Sequence, residues 1–263
     1  MNGGPSVTRS PPAFFLLTFV LSVPFLLFAR TPLPGPFNLP ASSLMFVCPF
    51  IAASILVRRE EGPGGVTRLL ARVGDFRKIR TIYLLTIILL MPGVMFLSYG
   101  VMLFLDRPLP ADPYVLYLII PVFVPLFFIA AAGEEAGWMG YAADPLQERW
   151  SALATALVLG SVWAAWHLLP WLLLNTPVWA AGQALFTLAL RIIIVWIYNN
   201  SGRSVFAATL FHTMTNVSEF SFPNYGSHYD PVVSGAITAA IAVVVTYLWG
   251  PKTLARFRWR SQE

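Results

Sequence analysis

The sequence predicts an all-α polytopic membrane protein, with about eight transmembrane helices around a central polar active-site cavity. Three observations carry this prediction. Of the 263 residues, 57% are hydrophobic and only 11% are charged, whereas a soluble domain of this size carries about a quarter charged residues. Apolar stretches long enough to cross about 30 Å of hydrocarbon recur along the whole chain. Three of those stretches are interrupted by Glu134 and Glu135, by His167, and by His212 with Asn216. Carboxylates and imidazoles at such depth cost several kcal/mol unless they pair, face water or do chemistry.

The predicted spans fall at about 13–29, 41–57, 81–105, 114–143, 152–174, 178–198, 204–221 and 232–250. The first has Arg9 before it and no A-x-A-like cleavage site after it, so it reads as a span rather than a signal peptide. The third and fourth are long, and Pro92, Pro121 and Pro125 are the candidate kinks. The basic stretch 58–80 reads as an amphipathic interfacial element. Three parts follow: spans one to three with this loop (1–113), a core of spans four to seven (114–221), and the last span with its basic tail (222–263).

Basic residues set the orientation. Arg58, Arg59, Arg68, Arg72, Arg77, Lys78 and Arg80 share one loop, and Lys252, Arg256, Arg258 and Arg260 lie in the tail. With Arg9, Arg149 and Arg203 they fall on one side of an eight-span chain, against Arg30 and Arg107 on the other. By the positive-inside rule both termini are cytoplasmic, in a bacterial-type inner membrane. The net charge of +5 is thus an orientation signal, and no nucleic-acid partner is implied; the lipid bilayer is. A single cysteine, Cys48, excludes a disulfide framework and a Cys-based metal site.

At about 1.5 Å per residue, Glu134 lies about 14 Å from the cytoplasmic end of its span, His167 about 18–24 Å, and His212 about 14 Å. A lone His or Asn in a membrane helix ordinarily serves helix packing, but three helices converging on one level is a costlier pattern. His212 and Asn216 share a face, as do Trp163 and His167, while Glu134 and Glu135 point about 100° apart. A carboxylate in a water-poor site is a usable general base near neutral pH. Histidine adds a second base, an oxyanion donor or a metal ligand, and Asn adds a fixed amide donor. Together they suit attack of activated water on an amide. The H-E-x-x-H, G-x-G-D and G-x-S-x patterns of other intramembrane proteases find no suitable match. A small transporter is disfavoured because no inverted repeat is visible.

Glu134-Glu135-Ala-Gly-Trp138-Met-Gly140-Tyr141 resembles the E-E-x-x-x-R motif of the CAAX-protease and bacteriocin-processing (CPBP, or Abi) intramembrane proteases. Trp163-Ala-Ala-Trp-His167 resembles their aromatic-x-x-x-His motif, and His212-Thr-Met-Thr-Asn216 their H-x-x-x-N motif. The resemblance implies an intramembrane endopeptidase related to the type II CAAX-prenyl enzymes, acting on a peptide or protein substrate at the membrane. It implies that Glu134 and His167 activate water and that His212 and Asn216 stabilise the oxyanion. Glu134, His167 and His212 could instead hold a divalent metal such as zinc with an open position. Glu135, Trp138 and Trp163 fall in the same motifs. The motif arginine is Met139 here, which leaves an inactive relative acting as a membrane binding or immunity protein as the alternative. Arg191 lies about 12 Å deep in span six, at the level of the Glu pair. It is expected either to pair with Glu135 in place of the missing cation or to snorkel to the interface.

Overall fold

The computed structural model describes residues 9–34, 39–77, 79–115, 117–255 and 257; Lys78, Arg256, Arg258 and Arg260 of the charge pattern lie outside them. Ten α-helices account for most of the described chain, and no strand occurs among the described residues. They are α1 Pro11–Leu27, α2 Val47–Glu61, α3 Gly65–Val73, α4 Thr81–Phe104 and α5 Ile120–Gly137. The rest are α6 Ala143–Arg149, α7 Ala152–Leu174, α8 Pro177–Asn200, α9 Val205–Ser221 and α10 Pro231–Trp249.

The fold class is the expected one, but the span count is not. Six helical segments have the length and composition to cross a membrane, not eight. The apolar helix α1 has 17 residues, hence about 26 Å of rise, short of the hydrocarbon thickness. Helix α9, also 17 residues, carries Thr209, His212, Thr213, Thr215, Asn216, Ser218 and Glu219. Such a helix is stable in a membrane only when other helices surround it. Much of α9 is buried accordingly.

Helix α8 is the interior element: 78% of its apolar window is buried, against 17% for the segment Tyr117–Arg149. It packs on α7, α9 and α10. Gly160 allows the α7–α8 approach, since a Cβ there would lie 3.1 Å from Arg191 Cβ. On the other flank, α5 packs against α2 and α9. A Cβ at Gly137 would meet the ring of Phe14 at 2.7 Å and Pro49 at 2.8 Å, so a small residue is required where α1 and α2 close over the end of α5.

Pro121 occupies the first turn of α5, while Pro92 and Pro125 lie inside α4 and α5. The sharpest departure from α geometry falls elsewhere. Trp138–Ala142 forms a π-helical turn between α5 and α6, immediately after the Glu pair. In such a turn the α ladder is interrupted, and the Gly140 carbonyl accepts from both Arg9 Nη1 (2.9 Å) and Arg72 Nη1 (2.7 Å). Arg72 belongs to α3, the short helix formed within the basic stretch 58–80; Leu69 is its buried side and Arg68 its exposed one.

Candidate active site

Helices α5, α7, α8 and α9 bring Glu134, Glu135, His167, Arg191 and His212 together around Trp163. Glu135 is fully buried and takes two partners. Its Oε2 accepts from Arg191 Nη1 at 2.6 Å, and its Oε1 lies 3.0 Å from His212 Nδ1. Arg191 therefore pairs with Glu135 and does not snorkel. Glu134, turned to another side of α5, accepts from the Trp163 indole N–H at 2.7 Å and keeps 7% of its surface accessible, where Glu135 keeps none.

Trp163 is the joint of the assembly. Its indole N–H holds Glu134, and the Arg191 guanidinium lies over its ring at 4.1 Å from the centroid. His212 meets its ring at 5.1 Å between centroids. The guanidinium is thus shared between a carboxylate and an aromatic face, a favourable site for a desolvated cation. Arg191 Nε and Nη2 have no hydrogen-bond partner among the described residues.

His167 lies one turn beyond Trp163 on α7 and is half-buried. Its Nδ1 lies 3.2 Å from the Trp163 carbonyl. A carbonyl can only accept, so Nδ1 carries the proton and Nε2 is left with its lone pair. The ring is walled by Trp166 at 4.4 Å and stacks on Trp171 at 5.3 Å. Trp138 belongs to the aromatic layer behind, against Phe14 (5.1 Å) and Trp166 (5.8 Å). Asn216 follows His212 by one turn of α9 and is half-buried. Met139, at the motif arginine position, is fully buried.

Among the described residues, no three His, Cys, Asp or Glu side chains are arranged to hold a metal. Glu134 gives one oxygen to Trp163, and both histidines turn Nδ1 to other partners, which leaves the second Glu134 oxygen and both Nε2 atoms outside these contacts.

Residues 116–218 match a family model described as type II CAAX prenyl endopeptidase Rce1-like. The match covers 103 of the 263 residues. The match spans the helices that carry every polar residue of the cluster. Over an alignment of 237 residues the chain is 27% identical to the protein named CAAX prenyl protease 2 of Methanococcus maripaludis. That alignment covers 81% of this chain and 85% of the relative, so the likeness extends well outside the core. With six helical segments long and apolar enough to cross a membrane, the chain is an integral membrane protein whose core is similar to that of type II CAAX prenyl endopeptidases.

Two features of the site were not foreseen. The indole of Trp163 bridges Glu134 to Arg191; the aromatic's place in its motif marked it, but not its partners. Beyond Asn216, Glu219 extends the same face of α9 toward Gln183, which accepts the Tyr229 hydroxyl at 2.8 Å. Glu219 is partly shielded, and its polarity within α9 was the one available signal.

Proposed function

We propose that the chain is an intramembrane endopeptidase that hydrolyses a peptide bond through side-chain-activated water. The observation that supports this best is the unequal treatment of adjacent carboxylates. Glu135 is sealed and neutralised by Arg191, while Glu134 is oriented by one indole and, though buried, keeps 7% of its surface where Glu135 keeps none. Glu134 is then the general base, with the bare Nε2 of His167 beside the same water. The hydroxide attacks the carbonyl carbon, and the oxyanion takes hydrogen bonds from His212 and the Asn216 amide. Glu135, itself held by Arg191, fixes the His212 ring through Nδ1 so that its other nitrogen faces the oxyanion. The Glu134 proton passes to the departing amine as the tetrahedral species collapses. Arg191 is a positioning residue, supplying from α8 the cation that the motif places on the turn after α5.

The name of the archaeal relative suggests the substrate class: a prenylated protein or peptide C-terminus at the membrane. The test is cleavage by the full chain in proteoliposomes of matched C-terminal peptides with and without a prenyl group, beside Glu134→Gln and a chelator-treated sample. Cleavage lost in Glu134→Gln and retained after chelation supports the reading; cleavage retained in Glu134→Gln, or lost to chelation and restored by zinc, overturns it. The orientation, with both termini cytoplasmic, predicts cytoplasmic reporter signals from fusions after Glu263 and near Arg68, and the opposite signal near Tyr225. A signal from the far side at either of the first two would reverse it.

A further inference from the structure

Away from the polar cluster, two cavities meet at the charged end of the bundle. One is an apolar groove of about 510 Å³, lined by Leu153 and Leu157 of α7, Leu185 and Leu188 of α8, and Ala239 and Val243 of α10. That volume is within the range of small-molecule sites. The other is a polar recess of about 200 Å³, whose lining includes Gln147, Asn199, Arg203 and Lys252 and, among the described residues, no carboxylate.

The two are continuous along the chain. Pro251 and Leu153 line the groove, and their neighbours Lys252 and Ala152 line the recess. The amides of Leu153 and Ala152 donate to the carbonyls of Pro251 and Lys252 at 3.0 and 2.9 Å, fixing that corner. From Tyr247 back to Ala239 the groove follows α10 inward, about 12 Å at the helical rise. Leu157, Leu185, Val243 and Tyr247 are exposed along it, so it opens on the face that hydrocarbon covers. At its mouth Lys252 is exposed, and Arg203 shares its charge with Asp144 at 3.4 Å.

We propose that this pair of cavities is a binding site for a membrane phospholipid with an anionic headgroup. One acyl chain fills the groove, and the phosphate rests on Lys252 and Arg203. An apolar slot that opens sideways to hydrocarbon and ends at a doubly cationic recess has the polarity profile of that ligand along its length. The basic end attracts anionic lipid over zwitterionic lipid for the reason that juxtamembrane basic residues do. The site lies apart from the Glu134 cluster and binds whether or not peptide is hydrolysed.

The test uses the full chain in phosphatidylcholine nanodiscs and in detergent. Thermal unfolding and native mass spectrometry are followed as phosphatidylglycerol, phosphatidylcholine or soluble glycerol phosphate is added. Phosphatidylglycerol should be retained and should raise Tm more than phosphatidylcholine, while glycerol phosphate leaves Tm unmoved. Lys252→Ser should lower the phosphatidylglycerol preference about fivefold, the share of one basic residue near a membrane surface. Ala239→Phe, which fills the groove, should cut retention of both lipids, and Leu157→Trp provides the same obstruction from α7. Equal retention of the two lipids, or an undiminished preference in Lys252→Ser, overturns the site. A shift from glycerol phosphate as large as that from phosphatidylglycerol would reduce it to an anion site and remove the groove from it.

Discussion

The molecule contains two networks of arginines and carboxylates, one in the middle of the bundle and one at its charged end. At the end, Glu61 accepts from Arg9 at 2.6 Å and Arg68 at 2.9 Å. Asp144 there gathers Arg72 at 2.9 Å, Arg203 at 3.4 Å and the Tyr198 hydroxyl at 2.8 Å. These contacts tie α2, α3, α6 and α8 and the segment before α1, and most of the side chains keep access to solvent. Burial works against the Arg72 charge, but Tyr198 and Asp144 hold its pKa above the ordinary arginine value. In the middle, Glu135 and Arg191 have no accessible surface at all, and two guanidinium nitrogens lack partners among the described residues. Ion pairs of the first kind are cheap and contribute little each. A pair of the second kind carries a desolvation cost that its Coulomb attraction need not recover. An arrangement that costly, beside a second carboxylate held by a single indole, fits the proposed chemistry better than adhesion between helices.

The sharpest way to break the comparison is to remove the groups assigned to chemistry. Glu134→Gln, His167→Ala and His212→Ala are each expected to lower peptide cleavage by a factor of about a thousand or more, because members of one catalytic unit fail together. Membrane insertion and the unfolding temperature should stay near those of the unaltered chain. Substantial cleavage by any of the three would return the cluster to the status of helix packing.

Arg191→Leu is the next largest effect, and it differs in kind. It leaves Glu135 buried beside His212 without its guanidinium, a loss on the order of 3–5 kcal/mol in stability, with activity falling as Trp163 and Glu134 lose their support. Adding Met139→Arg restores the motif cation on the π turn next to the carboxylates and should recover both stability and cleavage. Recovery separates a positioning role from mere packing, since a Leu–Arg exchange across two helices repairs charge but not shape. Full activity in Arg191→Leu alone would remove Arg191 from the mechanism. Asn216→Ala should be milder, about 3 kcal/mol in the barrier if its amide is one of two oxyanion donors; the check is a drop in kcat with KM little changed.

How much of this was legible differs between the two networks. In the middle, polarity inside apolar runs marks Glu134, Glu135, His167, His212 and Asn216, and helical rise alone puts Arg191 level with Glu135. Depth is encoded locally, so pairing with Glu135 stood as one of two readings of Arg191 before any packing was known, the other being snorkelling. At the end, nothing local distinguishes Arg72 from Arg68, yet one reaches Gly140, Asp144 and Tyr198 while the other stays on the surface. Their partners depend on how α3 lies across the π turn, and that turn leaves no mark in hydropathy. The span count failed for a related reason. Hydropathy marks α1 and α9 as apolar stretches without showing that each is only 17 residues long and that α9 is too polar to stand alone among lipids.

Salt gives the finest separation of the two networks. A double-mutant cycle between Arg68 and Glu61 should give a coupling of about 0.2–1 kcal/mol, since the arginine side chain is 60% exposed. Ionic screening shortens to about 3 Å at 1 M salt, close to the separation of the charged atoms, so that coupling should fall toward zero. The same cycle between Arg191 and Glu135 should be larger and insensitive to salt, because no ion can reach a pair without accessible surface. Unfolding temperature in detergent, at low and high salt, measures both cycles, and cleavage by Arg68→Ala should match the unaltered chain throughout. Were the Arg191–Glu135 coupling to decay with salt as the surface pair does, the middle of the bundle would be open to water and ions. Its two carboxylates would then no longer differ in the way the proposed division of labour requires.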